Sequence, residues 1–331
     1  MSHRYQLRYH QRSRDPISVI QVEQSELPEL SSDQALVEVL AAPINPSDIL
    51  TITGDYGMLP ELPATGGNEG VGRVKAVGDA VERLRPGQTV LLPVGCGTWA
   101  SHVVCKGAEL IPLPDQADPK QLAMLTINPP TAWLLLEAFV DLSEGDWVIQ
   151  NAANSAVGTY LVQLAKSRGL RSVNVVRRES AAQAVREAGA DVVLVDGDDL
   201  AKRVREATGK AAIRLGIDAV GGGATERLAE CLKGGGTLVN YGMMSGQACQ
   251  ISPKHLIFRG IQLKGFWLAQ WFDKANREQQ QHLYGELVKR IASGQLSAPI
   301  DQCFDIHDGK KALSLAASGE RKGKVLFTPN H

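Results

Sequence analysis

The chain lacks an excess of charge of either sign. Its 331 residues include 35 Lys or Arg and 36 Asp or Glu, a formal net charge of −1. Nucleic acid and polyphosphate surfaces select a marked basic excess, so neither is an expected partner. No apolar run approaches the ~18 residues that cross a bilayer, so no membrane partner is expected either. The N-terminal stretch carries Arg4, Arg8, Arg12 and Arg14 but no apolar segment of the secretory-signal kind. A transit peptide stays open there. The alternation of Tyr5, Leu7 and Tyr9 with polar neighbours reads instead as a first strand. Cysteines number five, an odd count, with no Cys-x-x-Cys pair. That argues against a disulfide framework or a thiolate zinc knot and fits a reducing cytosol, so a cytoplasmic protein is expected. Internal repeats and low-complexity tracts are missing as well.

What remains is an ordinary soluble composition, 44% hydrophobic and 21% charged. The length suits two domains of about 150 residues rather than one core. The 33 glycines point to tight turns and close backbone approaches. Residues 1–125 read as mostly β: the short apolar runs 35–40, 70–77, 89–93 and 102–105 are separated by Gly, Pro and Asp turns, the pattern of a compact antiparallel domain. Residues 120–139 read as helical, interrupted at Asn128-Pro129-Pro130. From Asp146 the rhythm becomes strand–helix–strand, which predicts a parallel doubly wound sheet over residues 126–270. A polar helix at 276–293 and a short tail, residues 271–331 together, are too small to fold alone and are expected to return to the first domain.

The strand Asp146–Gln150 followed by Asn151–Gly158 and a helix stands where a dinucleotide fingerprint belongs. Glycines there allow close approach to a pyrophosphate at a helix N-terminus. Only Gly158 is glycine; Ala152, Ser155 and Ala156 supply the other small positions, and Asn154 and Ser155 add donors. A plain strand–turn–helix fits the same string. The second strand ends in Arg177-Arg178, where a binder of the non-phosphorylated cofactor needs an acidic residue. Guanidinium groups suit a 2′-phosphate, so NADPH is expected over NADH; two solvated arginines are the alternative.

Several segments carry a family resemblance in order along nearly the whole chain. They are Ile44-Asn45-Pro46-Ser47-Asp48, Gly54-Asp55-Tyr56-Gly57-Met58-Leu59-Pro60, Gly66-Gly67-Asn68-Glu69-Gly70, Gly97-Thr98-Trp99 and Asn128-Pro129-Pro130-Thr131-Ala132. Further on stand Gln150-Asn151-Ala152-Ala153-Asn154-Ser155, Asn174-Val175-Val176-Arg177 and Phe266-Trp267-Leu268-Ala269-Gln270-Trp271. With these the chain resembles the zinc-free medium-chain dehydrogenases/reductases, and within them the mitochondrial-type trans-2-enoyl-CoA/ACP reductases of the wider quinone oxidoreductase-like group. The fold implied is α/β: a GroES-like β-rich catalytic domain plus a doubly wound parallel Rossmann domain that binds NADPH.

The resemblance implies reduction of a 2-enoyl thioester in fatty-acid synthesis, with hydride added at Cβ and a proton at Cα. It gives the proton-donor role to Tyr56, a residue that by itself also suits a surface turn. A phenol is acidic enough to protonate an enolate. The resemblance sets Asn154, Ser155, Ala156, Val157 and Gly158 at the pyrophosphate. It sets Asn128, Tyr241, Gly242, Met243, Met244, Phe266, Trp267, Leu268, Ala269 and Lys324 around the rest of the cofactor. Zinc enzymes of the superfamily carry Cys near Asn45 and His where Asn68 stands, so no zinc is expected. The substrate is expected in an interdomain cleft, and a homodimer is expected through the strand at 261–266. An NADPH:quinone oxidoreductase on the same scaffold and a non-enzymatic NADPH-binding protein are the competing readings.

Overall fold

In this computed structural model residues 3–329 are described. The chain divides into two units, residues 1–127 with 285–331, and residues 128–284. The second crossing lies inside the helix Arg277–Ala292, in contrast to the boundary at 270 drawn from the sequence.

The first unit is built around the strand Gln34–Pro43. It pairs antiparallel with Val71–Val77, His102–Lys106 and Lys324–Phe327. Ala35, Val37, Val39 and Ala41 are fully buried and alternate with half-buried neighbours, the two-residue period of a strand facing a core. A hairpin of His3–Tyr9 and Gln21–Glu26 adds Leu7 and Tyr9 to that core. Lys324–Phe327 lies beside Gln34–Pro43 and buries Val325 and Phe327. Ile300–Phe304 runs parallel to Lys324–Phe327, since the intervening helix Gly309–Ser318 returns the chain in the same direction.

The β reading of residues 1–125 also misses a helix, Pro46–Thr53. Its start follows from local chemistry. Asn45 is extended at the N-cap, Pro46 has no N–H to leave unsatisfied, and the Asp48 carboxylate accepts the Asn45 N–H at 2.7 Å. It ends at Gly54, whose φ of +89° is a left-handed C-cap.

The second unit is a six-stranded parallel sheet. Across the sheet the strands run Val192–Val195, Arg171–Val176, Trp147–Gln150, Ile213–Asp218, Thr237–Asn240 and Gln262–Gly265. In chain order that is 3-2-1-4-5-6, the doubly wound order with its switch point between Trp147–Gln150 and Ile213–Asp218. Ile149, Val173, Val175, Leu215, Ile217 and Leu238 are buried, as expected for a sheet covered on both faces. One helix expectation needs correction. Asn128-Pro129-Pro130 does not interrupt a helix but begins one, Asn128–Glu137, because prolines are tolerated in a first turn. Beyond the last strand, Leu268–Lys274 forms a further helix.

Candidate functional site

Within the parallel unit, the strand Trp147–Gln150 hands over to a tight loop and the helix Ala156–Ser167. Ser155 caps that helix, its Oγ accepting the Gly158 N–H at 3.1 Å. Ala152 sits at φ +47°, a left-handed position that favours glycine. At Gly158 an added Cβ would stand 2.5 Å from the Ala153 carbonyl oxygen, so only glycine lets the helix pack this closely on the loop. Asn154 is exposed at the loop tip, Ser155, Ala156 and Val157 are half-buried, and Gly158 is buried. Arg177 and Arg178 follow the strand Arg171–Val176, the first exposed and the second half-buried. A cradle of small residues at a helix N-terminus, with cations at the end of the next strand, fits a phosphorylated dinucleotide.

At the switch point the sheet carries a polar hub that sequence reasoning passed over. Asp218 is fully buried. Its Oδ1 accepts from Asn151 Nδ2 at 2.7 Å, Val220 N at 2.9 Å and Gly221 N at 3.0 Å. Its Oδ2 accepts from the Thr225 hydroxyl at 2.7 Å and Asn240 Nδ2 at 3.3 Å. Asn151 returns its own Oδ1 to the Ala219 N–H at 2.7 Å. The sequence signal was an acidic residue ending a strand before Gly221-Gly222-Gly223.

The segment Tyr241–Met244 crosses that hub. Tyr241 N–H donates to the Asp218 carbonyl at 2.9 Å, and a Cβ on Gly242 would stand 2.7 Å from the Ala219 carbonyl oxygen. The Tyr241 hydroxyl meets the Ser155 side chain, while burial pushes its phenol up. Thus Ser155 and Tyr241, two expected cofactor residues on separate loops, are brought together. Met243 and Met244 are exposed. Phe266 packs edge-on against Phe139, with ring centroids 6.0 Å apart, and Trp267 precedes the helix that begins with Leu268 and Ala269. Asn128 is buried at the start of its helix.

The first unit holds Tyr56 and Lys324. The helix Pro46–Thr53 ends at Gly54, and the loop beyond it carries a half-buried Tyr56. Arg12 spans the loop: its guanidinium donates to the Pro60 carbonyl at 2.6 Å and its stem lies over Gly54. Lys324 is buried, donating to the Ile44 carbonyl at 3.1 Å and to Asn45 Oδ1 at 2.5 Å. Asn45 Nδ2 in turn donates to Glu69 at 2.7 Å, and the other Glu69 oxygen accepts the Ile127 N–H at 2.9 Å. Asp48 accepts the side-chain amide of Asn68 at 2.7 Å and its backbone N–H at 3.1 Å. Burial pushes the Asp48 and Glu69 carboxyls up and the Lys324 ammonium down, with their mutual attraction opposing all three shifts.

This donor set does not fit zinc. The amides of Asn45 and Asn68 are already engaged, and an ammonium lies against the Asn45 oxygen where a metal cation would be repelled. Among the described residues no group of three His, Cys, Asp or Glu is arranged to hold a metal ion.

Residues 31–115 match the alcohol dehydrogenase GroES-like domain, and residues 156–284 match the zinc-binding dehydrogenase family. The human mitochondrial enoyl-[acyl-carrier-protein] reductase is 38% identical over 321 residues, which is 95% of this chain and 86% of that protein. The Bos taurus enzyme of the same name is 40% identical over the same shares. Among solved structures, Etr1p in complex with NADP and crotonyl-CoA has a TM-score of 0.89 at 26% identity, covering 99% of this chain and all of that one. A Bacillus thuringiensis protein described as an NADPH:quinone reductase has a TM-score of 0.89 at 30% identity, covering 98% of this chain and 99% of that one. These findings correct the cytoplasmic expectation, because the enoyl reductases this chain is similar to are named as mitochondrial. An odd number of cysteines does not say which compartment holds the protein.

Proposed function

The chain belongs to the medium-chain dehydrogenase/reductase family, alongside its mitochondrial-type enoyl reductases, and from that membership we propose that it reduces the C2=C3 bond of 2-enoyl thioesters with NADPH. The observation that carries this reading is the 38% identity to an enoyl-[acyl-carrier-protein] reductase along 95% of the chain. The structural likeness to Etr1p, whose complex contains NADP and crotonyl-CoA, supports both cofactor and substrate class. The physiological setting is fatty-acid synthesis.

Bound NADPH supplies the hydride for Cβ. The residues of this chain do the rest. The loop Asn154–Gly158 would hold the pyrophosphate at the helix N-terminus, and Arg177 and Arg178 would hold the 2′-phosphate. Asn128, Tyr241–Met244, Phe266–Ala269 and Lys324 would line the remainder of the cofactor, as the family resemblance implies. The Tyr56 hydroxyl gives its proton to Cα of the enolate. The active form is a homodimer joined through the edge strand Gln262–Gly265, all of whose residues are exposed, next to exposed Ile257 and Phe258.

Steady-state NADPH oxidation tests this reading. Crotonyl-CoA or hexenoyl-CoA should be turned over, and Tyr56→Phe should lower kcat by about 100-fold or more, the scale of a lost general acid, with NADPH affinity unchanged. Full activity in that variant removes the proton-donor role. The likeness to an NADPH:quinone reductase favours one rival. Fast turnover of a quinone with none of an enoyl-CoA would establish it instead.

A further inference from the structure

We propose that Asp218 is a positioning residue that sets the affinity for NADPH by holding two cofactor loops in register across the switch point of the sheet. The inference rests on the cofactor reading above.

Three strand ends converge on this one carboxylate. Asn151, at the end of Trp147–Gln150, reaches it across the switch point; Asn240, at the end of Thr237–Asn240, reaches it from the other side. Asp218 itself ends the strand between them. The backbone of the turn that follows it closes on the same oxygen through Val220 and Gly221. Every partner is a donor, and the carboxylate is fully buried, so five donors depend on one acceptor group that only an acidic side chain supplies in full.

The two loops are fixed by different arms of this hub. The Asn151 arm carries the start of the Asn151–Ser155 loop, since Asn151 clamps both Asp218 and the Ala219 N–H. The Asn240 arm carries Tyr241–Met244, since Asn240 Nδ2 also donates to the Gly242 carbonyl at 2.9 Å. Met244 N–H and Ser245 N–H then bond the carbonyls of Ala219 and Val220, at 3.1 and 2.9 Å. The loops meet again where the Tyr241 hydroxyl touches Ser155, the cap of the pyrophosphate helix. Removing the hub therefore displaces the pyrophosphate and nicotinamide half of the cradle. Arg177 and Arg178 follow the strand Arg171–Val176, which supplies none of the five donors to Asp218 named above, so the half that reads the 2′-phosphate is left in place.

The test compares two ligands of purified protein. NADPH spans both halves; adenosine 2′-monophosphate, which has no 5′-phosphate, occupies only the arginine side. Asp218→Ala should raise the Kd of NADPH by about tenfold or more, the size of a lost buried hydrogen bond to a charged group. The Kd of adenosine 2′-monophosphate should stay within about twofold, and for NADPH Asp218→Asn should fall between, because an amide keeps one acceptor oxygen. Should Asp218→Ala not fold, Asn151→Ala reads the same effect, with NADPH weakened and the smaller ligand unchanged. An unchanged NADPH Kd in the folded variant overturns the proposal, as does equal weakening of both ligands. Wild-type protein that binds neither ligand sinks the cofactor reading, and this assignment with it.

Discussion

Each unit buries carboxylates at its candidate site, and the two solve the problem differently. In the parallel unit Asp218 is held only by donors: two side-chain amides, a hydroxyl and two backbone N–H groups. In the other unit Asp48 and Glu69 share one ammonium, Lys324, as well as amide and backbone donors. A carboxylate satisfied by dipoles is a fixed anchor for loops. Two buried carboxylates near one cation form a set in which burial favours the neutral forms and the attraction to the shared ammonium opposes it.

The largest effect should separate the two at once. Lys324→Met leaves two buried acids without their cation and should lower unfolding free energy by about 3–5 kcal/mol, read by urea denaturation. Asp218→Asn, which keeps shape and one acceptor oxygen, should cost only about 1–2 kcal/mol in the same assay. Equal losses would erase the distinction. Next in size, replacing both Arg177 and Arg178 by Ala should weaken NADPH by about 10- to 100-fold and leave NADH nearly unchanged. A parallel loss of both cofactors would move the 2′-phosphate site elsewhere.

A further contrast is a pH dependence confined to the ammonium-bearing cluster. Burial pushes the Glu69 carboxyl from its ordinary 4.5 up to about 7, and Asp48 moves the same way. The folded state therefore keeps a proton that the unfolded chain releases. That stabilisation is complete below pH 4.5 and is lost as pH rises through about 7. Lys324, pushed down to about 8, acts with the opposite sign, but only above that pH. The urea midpoint should fall between about pH 5 and 7.5, and Glu69→Gln should flatten the fall. An identical slope in that variant would remove Glu69 as its source.

Much of this was legible in the chain. Alternating strand and helix patterns after Asp146 announce a parallel sheet, because period and buried runs are local properties. Ser155 and Gly158 follow from what a helix N-terminus and a tight turn demand. The hub at Asp218 was not legible, since its partners Asn151, Thr225 and Asn240 lie on separate elements and meet only through the strand order. Lys324 and Glu69 are likewise 255 positions apart in the sequence, so their shared burial has no local signature. The helix Pro46–Thr53 hid behind a short apolar string, although Asn45, Pro46 and Asp48 spell an N-terminal box in retrospect. Prolines 129 and 130 were read as breakers where they are starters, an ambiguity of position that only the first-turn geometry resolves.

The most direct measurement is the isotopic pattern of the product when crotonyl-CoA is reduced by NADPH in D2O. The account predicts butyryl-CoA with a single solvent deuterium, at Cα, and unlabelled hydrogen delivered to Cβ. Solvent deuterium at Cβ, or no saturated thioester at all, would contradict it.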